Sequence, residues 1–159
     1  MKNHKLLFTR VTLCVLTALM ISFIFINSLF DAESSSAQST GILEFVNSLL
    51  CSLNIKFEFT EHIIRKCAHF AEFFVLATLL FYTIKSFLSK VSLNVWLTLS
   101  SGLVVALIDE TLQLFSTGRS SQFTDVLLDF SGVATATALF TLLTLLIKKR
   151  LRNKGNKNE

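Results

Sequence analysis

The chain has 159 residues, of which 52% are hydrophobic and only 16% charged, and it contains no proline. Its mean hydropathy is +0.60. Soluble domains carry about 25% charged residues, so this composition excludes an ordinary water-soluble domain. The formal net charge of +4 does not point to nucleic acid, because the distribution of the basic residues along the chain explains it.

Lys2, Lys5 and Arg10 precede the first apolar run, Val11 to Phe30. A run of about 18 apolar residues or more reads as a membrane span. Ser35-Ser36-Ala37 is a passable cleavage site, but a signal peptide's apolar region is usually about 7–15 residues. An uncleaved helix is therefore expected. The stretch from Asp31 to Thr40 is Ser-rich and reads as an exposed loop. From Gly41 to Asn54, apolar residues (Ile42, Leu43, Phe45, Val46, Leu49, Leu50, Leu53) recur at helical spacing. This segment is too short to span, so we read it as an amphipathic helix at the outer interface. It either covers the polar cluster described below or simply packs.

Lys56 to Glu61 leads into the second span, Cys67 to Ile84, which is interrupted by His69 and Glu72. Lys85 and Lys90 separate it from the third span, Val91 to Ile108. The fourth span, Phe123 to Ile147, carries Asp125 and Asp129 near its start. Its small residues Gly132, Ala134, Ala136 and Ala138 suit close helix approach. A basic tail, residues 148–159, reads as an anchor touching anionic lipid. Cys14, Cys51 and Cys67 fit no metal spacing. Free thiols are expected, with a Cys51–Cys67 disulfide as the alternative. No internal repeat is visible. The expected architecture is one all-α domain: a polytopic four-helix transmembrane bundle with an interfacial amphipathic helix.

With four spans, 11 of the 15 basic residues fall on one side. The positive-inside rule makes that side cytoplasmic. Both termini are then inside, in a multi-pass cell-membrane protein, and loops 31–66 and 109–122 face outward. Of the 11 acidic residues, only Glu159 lies inside.

Charged groups within apolar helices are costly, about 3 kcal/mol each on insertion scales, and mark function. Arg65, His69 and Glu72 fall within about 60° of one another on a helix, with Lys66 beside them. Asp109 and Gln113 share a face at i, i+4, with Glu110 adjacent. Gly118 permits a turn that points Arg119 back toward the carboxylates. Asp125 and Asp129 are again i, i+4. Three helices thus deliver polar stripes to one membrane depth, which predicts a compact, partly hydrated pocket opening outward. His69, Glu72 and Asp109 are the catalytic candidates, with Glu72 orienting the imidazole. Arg65, Lys66, Glu110, Gln113, Arg119, Asp125 and Asp129 are the ligand-binding candidates. A metal site from His69, Glu72 and Asp109 competes with plain hydrogen bonding. The latter is the expectation, with no metal and no cofactor.

The pattern Arg65-Lys66-x-x-His69-Phe70-x-Glu72-Phe73, then Asp109-Glu110-x-x-Gln113-x-Phe115-x-x-Gly118-Arg119, then Asp125 and Gly132, resembles the VanZ-like family over about residues 10–147. That family often has asparagine where this chain has Asp129, and tyrosine where it has Phe73. The resemblance implies a small bacterial membrane protein. The name-giving member is associated with low-level resistance to teicoplanin, a glycopeptide with a fatty acyl tail. Some relatives are labelled phosphotransbutyrylases, a label that fits poorly because no Gly-rich phosphate loop is present.

Three functions follow as expectations. The first is binding of a membrane lipid, a lipid-linked cell-wall precursor or a lipoglycopeptide antibiotic by an outward pocket. The second is an outer-leaflet enzyme acting on a lipid-linked or phosphate-bearing substrate, with His69 as acid/base. The third is a structural polar core. A four-helix transporter would require an oligomer, and no alternating-access repeat is visible. The sequence leaves the oligomeric state open.

Overall fold

The computed structural model describes residues 2–53, 59–118 and 122–155. Five helices make up the fold: α1 (Lys2–Leu29), α2 (Ala32–Ser52), α3 (Glu61–Phe87), α4 (Val91–Gln113) and α5 (Phe123–Gly155). All but α2 are long and apolar enough to cross a membrane. The chain is an all-α, multi-pass membrane protein.

With no proline in the chain, nothing interrupts the backbone ladders. Four threonines inside the spans bond their own helix: Thr12 to the Phe8 carbonyl, Thr78 to Phe74, Thr98 to Asn94 and Thr137 to Val133, at 2.8–3.0 Å. No hydroxyl donor among these four is left unsatisfied in hydrocarbon. The same back-bonding explains a departure from the sequence expectation. The Ser-rich composition of Asp31 to Thr40 predicts a loop, yet α2 begins at Ala32. Thr40 donates to the Ser36 carbonyl at 2.9 Å, so a polar hydroxyl there is accommodated within a helix. Two spans also outrun their predicted bounds, α3 starting at Glu61 and α5 running to Gly155.

Thr60 caps α3 in extended conformation, its hydroxyl accepting from the Ile63 N–H at 3.4 Å, with Glu61 in the first turn. Thr60→Ala is expected to lower stability by about 0.5–1 kcal/mol, read from thermal unfolding in detergent. At the other end the Leu88 N–H closes α3 on the Ile84 carbonyl at 2.8 Å. After α4 the chain tightens through Leu114, Phe115 and Ser116 and reaches Gly118, at the expected turn, whose φ of 77° is left-handed backbone that glycine adopts without a Cβ clash.

Helix α3 is central and packs against each of the other four helices, while α4 also packs on α5 and α1. Phe73, Leu76, Ala77 and Leu80 of α3 form the core with Ile24, Ala106, Val133 and Ala136. Gly132 brings the α5 backbone onto α3: a Cβ there would lie 2.5 Å from the Phe70 carbonyl oxygen. Of the small residues in α5, Gly132 and Ala136 face inward and Ala138 outward. Large apolar side chains such as Trp96 (71% exposed) and Leu146 (53%) cover the outside, as a hydrocarbon solvent favours.

The two ends of the bundle differ in charge. At one end the Arg10 guanidinium donates twice to the Ser86 carbonyl, at 3.0 and 2.7 Å, and Lys85 donates to Thr144 at 2.9 Å. Lys85, Lys90 and Lys148 surround a cavity of about 270 Å³ there. The acidic residues of the spans gather at the opposite end. All three cysteines are free and exposed, so the Cys51–Cys67 bridge is not formed.

Candidate functional site

The acidic end is built where α1 and α4 finish and α3 and α5 begin. This antiparallel arrangement places His69, Asp109 and Asp129 on three different helices at one depth. Each offers one ligand-type atom, and these atoms lie within 4.8 Å of one another. Asp109 and Asp129 are 1% and 0% exposed.

His69 Nδ1 lies 3.4 Å from Asp129 Oδ1. The sequence expectation gave that orienting role to Glu72. Glu72 shares a helix with His69 and projects alongside it, whereas Asp129 faces it across the α3–α5 contact that Gly132 makes possible. Glu72 turns to α1, accepting from Asn27 Nδ2 at 3.5 Å. Asp109 accepts from the Ser28 hydroxyl and from Gln113 Nε2 at 3.1 Å. The i, i+4 relation of Asp109 and Gln113 is thus realised as a direct hydrogen bond. Apart from the long His69 contact, neither Asp129 oxygen has a hydrogen-bond donor among the described residues. A fully buried carboxylate in that condition is costly.

The remaining candidates divide by place. Lys66 pairs with Asp125 at 3.7 Å, both partly exposed, a weak link between α3 and α5. Glu110 is buried and its Oε2 accepts the Gln122 backbone N–H at 3.1 Å, so it braces the connection into α5. Arg65 lines the cavity described next. Arg119 lies outside the described residues.

A cavity of about 200 Å³ opens between α1, α2 and α3. Its apolar wall is Phe23, Phe30, Ile42 and Ile64, and its polar wall includes Asn27, Ser28, Arg65, His69 and Glu72. His69 therefore belongs both to the cavity and to the buried carboxylate cluster. Helix α2 supplies Ser39 and Ile42 to this wall and is pinned to the start of α3 by Asn47. The Asn47 side chain accepts from the Phe59 N–H at 2.9 Å and donates to the Phe59 carbonyl at 3.3 Å.

Sequence reasoning missed Asn27, Ser28, Asn47 and Ser116. The last of these donates to the Ser28 carbonyl at 2.7 Å and holds the end of α1 against the end of α4. The available signal was the Asn27-Ser28 pair closing an otherwise apolar run.

The family model described as VanZ/LLP1 matches residues 13–144, most of the chain. No curated protein and no solved structure matches it.

Proposed function

Since the chain belongs to the VanZ/LLP1 family, we propose that it binds an anionic amphiphile, a membrane lipid or lipid-linked cell-wall precursor, in the cavity between α1, α2 and α3. The observation carrying this reading is the two-sided wall of that cavity. Phe23, Phe30, Ile42 and Ile64 suit the start of a hydrocarbon chain, and Arg65, Asn27 and His69 suit a polar head. The volume of about 200 Å³ takes a headgroup and a few carbons, leaving the chain in the bilayer. Arg65 supplies the positive charge and planar donors that favour phosphate or carboxylate.

The basic end is cytoplasmic by the positive-inside rule, so the cavity faces the outer leaflet of the cell membrane. A lipoglycopeptide with an acyl tail would meet the same surface. Protection against teicoplanin then follows from occupancy of the cavity or of its lipid. A second reading, an acid/base enzyme at that leaflet, draws on the imidazole set against Asp129 at 3.4 Å.

Two measurements on matched membrane abundance test this. Lipid retained through detergent extraction is counted by mass spectrometry for wild type, Arg65→Ala and His69→Ala. Teicoplanin susceptibility is measured for cells expressing wild type, Arg65→Ala, His69→Ala and Asp109→Asn. We expect wild type to retain an anionic lipid and to protect, and Arg65→Ala to lose both. Equal lipid retention by wild type and Arg65→Ala overturns the binding reading. Retained lipid with lost protection in His69→Ala alone favours the enzyme.

A further inference from the structure

We propose that His69, Asp109 and Asp129 form a binding site for a first-row divalent cation of the zinc or manganese class. The proposal does not rest on the lipid reading, and only His69 is common to both sites.

Three observations lead there. The first is geometric. One donor atom from each of three helices falls within a 4.8 Å span. A divalent cation with bonds of about 2.0–2.2 Å holds its donors roughly 3–4.5 Å apart, so small side-chain rotations close the set. The second is Asp129 itself. It is 0% exposed, sits on the His69 nitrogen, and has no other donor at either oxygen among the described residues. One imidazole contact at 3.4 Å leaves most of the lone pairs of this buried carboxylate without a donor, a costly state that a cation would relieve. The third is the support around Asp109. Ser28 and Gln113 donate to its two oxygens and fix its orientation, as outer partners of metal-ligating carboxylates do, while leaving lone pairs for a cation.

Charge and chemistry agree with this. The described contacts of Asp109 and Asp129 are Ser28, Gln113 and His69, with no lysine or arginine among them. A divalent cation would cancel both carboxylate charges with His69 neutral. One imidazole nitrogen with two carboxylates suits zinc, manganese or ferrous iron better than magnesium or calcium, which prefer all-oxygen shells. Three protein ligands leave a coordination position open, the pattern of a reactive rather than a structural centre. His69 lines the cavity, so a ligand there would lie next to that position.

The test uses the full chain purified in detergent, with Co²⁺ as the probe. We expect about one equivalent per chain, visible absorption that a chelator removes, and a rise in unfolding temperature with added Zn²⁺ or Mn²⁺. Asp129→Asn, Asp109→Asn and His69→Ala should each weaken uptake at least about tenfold, while Arg65→Ala and Glu61→Gln leave it unchanged. Helix content by circular dichroism establishes that each variant is folded. Should a variant not fold, the stoichiometry and chelator response of wild type decide alone. Failure of wild type to take up Co²⁺, or uptake that survives all three substitutions, overturns the site. Loss of lipid binding in Arg65→Ala with intact Co²⁺ uptake separates this site from the lipid cavity.

Discussion

Gly132→Ala is expected to lower stability by about 1–3 kcal/mol and to abolish function at the acidic end. The new Cβ would meet the Phe70 carbonyl oxygen at 2.5 Å and the Phe74 nitrogen at 3.1 Å. Both are backbone atoms of α3 and cannot rotate away, so α5 must move. His69 precedes Phe70 and Asp129 lies one turn before Gly132, so that displacement opens the 3.4 Å contact between them. Two other glycines calibrate the effect. At Gly102 the added carbon meets the Val133 side chain, its methyl carbons at 2.5 and 2.8 Å and its Cβ at 3.2 Å, and a smaller loss is expected because no backbone atom is among these neighbours. At Gly41 nothing lies within 4 Å, so alanine should be neutral or stabilising by up to about 1 kcal/mol, its propensity advantage over glycine in a helix. Thermal unfolding of the three variants in one detergent gives the order directly, and a Gly132→Ala protein as stable as Gly41→Ala contradicts the described α3–α5 contact.

The second large effect concerns Asp129. In the presence of a chelator, Asp129→Asn is expected to leave stability unchanged or raise it by about 1–3 kcal/mol, as removal of a poorly compensated buried charge does, while the proposed protection against teicoplanin is lost. Stability and function then move in opposite directions, the usual signature of a group kept for what it does. The competing idea, a polar core that sets helix register, predicts that both fall together. Unfolding temperature and folded yield, compared with susceptibility at equal abundance, separate the two. A drop of several degrees in Asp129→Asn with chelator would favour the structural role.

The spans and their order were legible because each rests on a long apolar run bounded by charge, a signal that packing does not alter. The polar constellation was legible for the same reason, since His69, Asp109 and Asp129 are conspicuous only against hydrocarbon. The pairing among them was not. Helical periodicity relates residues on one helix, so it joined His69 to Glu72, whereas the 3.4 Å partner is Asp129 from another helix. That choice depends on how close two backbones come at Gly132, which no spacing within a single segment encodes. Composition also misled at α2. Serine and threonine are common in loops, yet Thr40 and Ser36 are helical neighbours joined by a hydroxyl-to-carbonyl bond, a state that the same residues adopt readily in apolar surroundings. Glu110, a ligand-binding candidate, also holds the Gln122 amide, a backbone contact invisible before the turn is built.

The location of the cluster on α3, α4 and α5 has a consequence for how the protein is made. Chains emerge from the ribosome N-terminal end first, so α3 and α4 reach the bilayer before α5 and its Asp129 do. At that stage His69 and Asp109 border lipid on the side that α5 later occupies, an arrangement hydrocarbon penalises. The closing helix therefore seals the bundle and completes the cluster in one event. Insertion of the final helix is also the moment at which the polar interior first exists, so a chain arrested after α4 carries half a site facing the membrane.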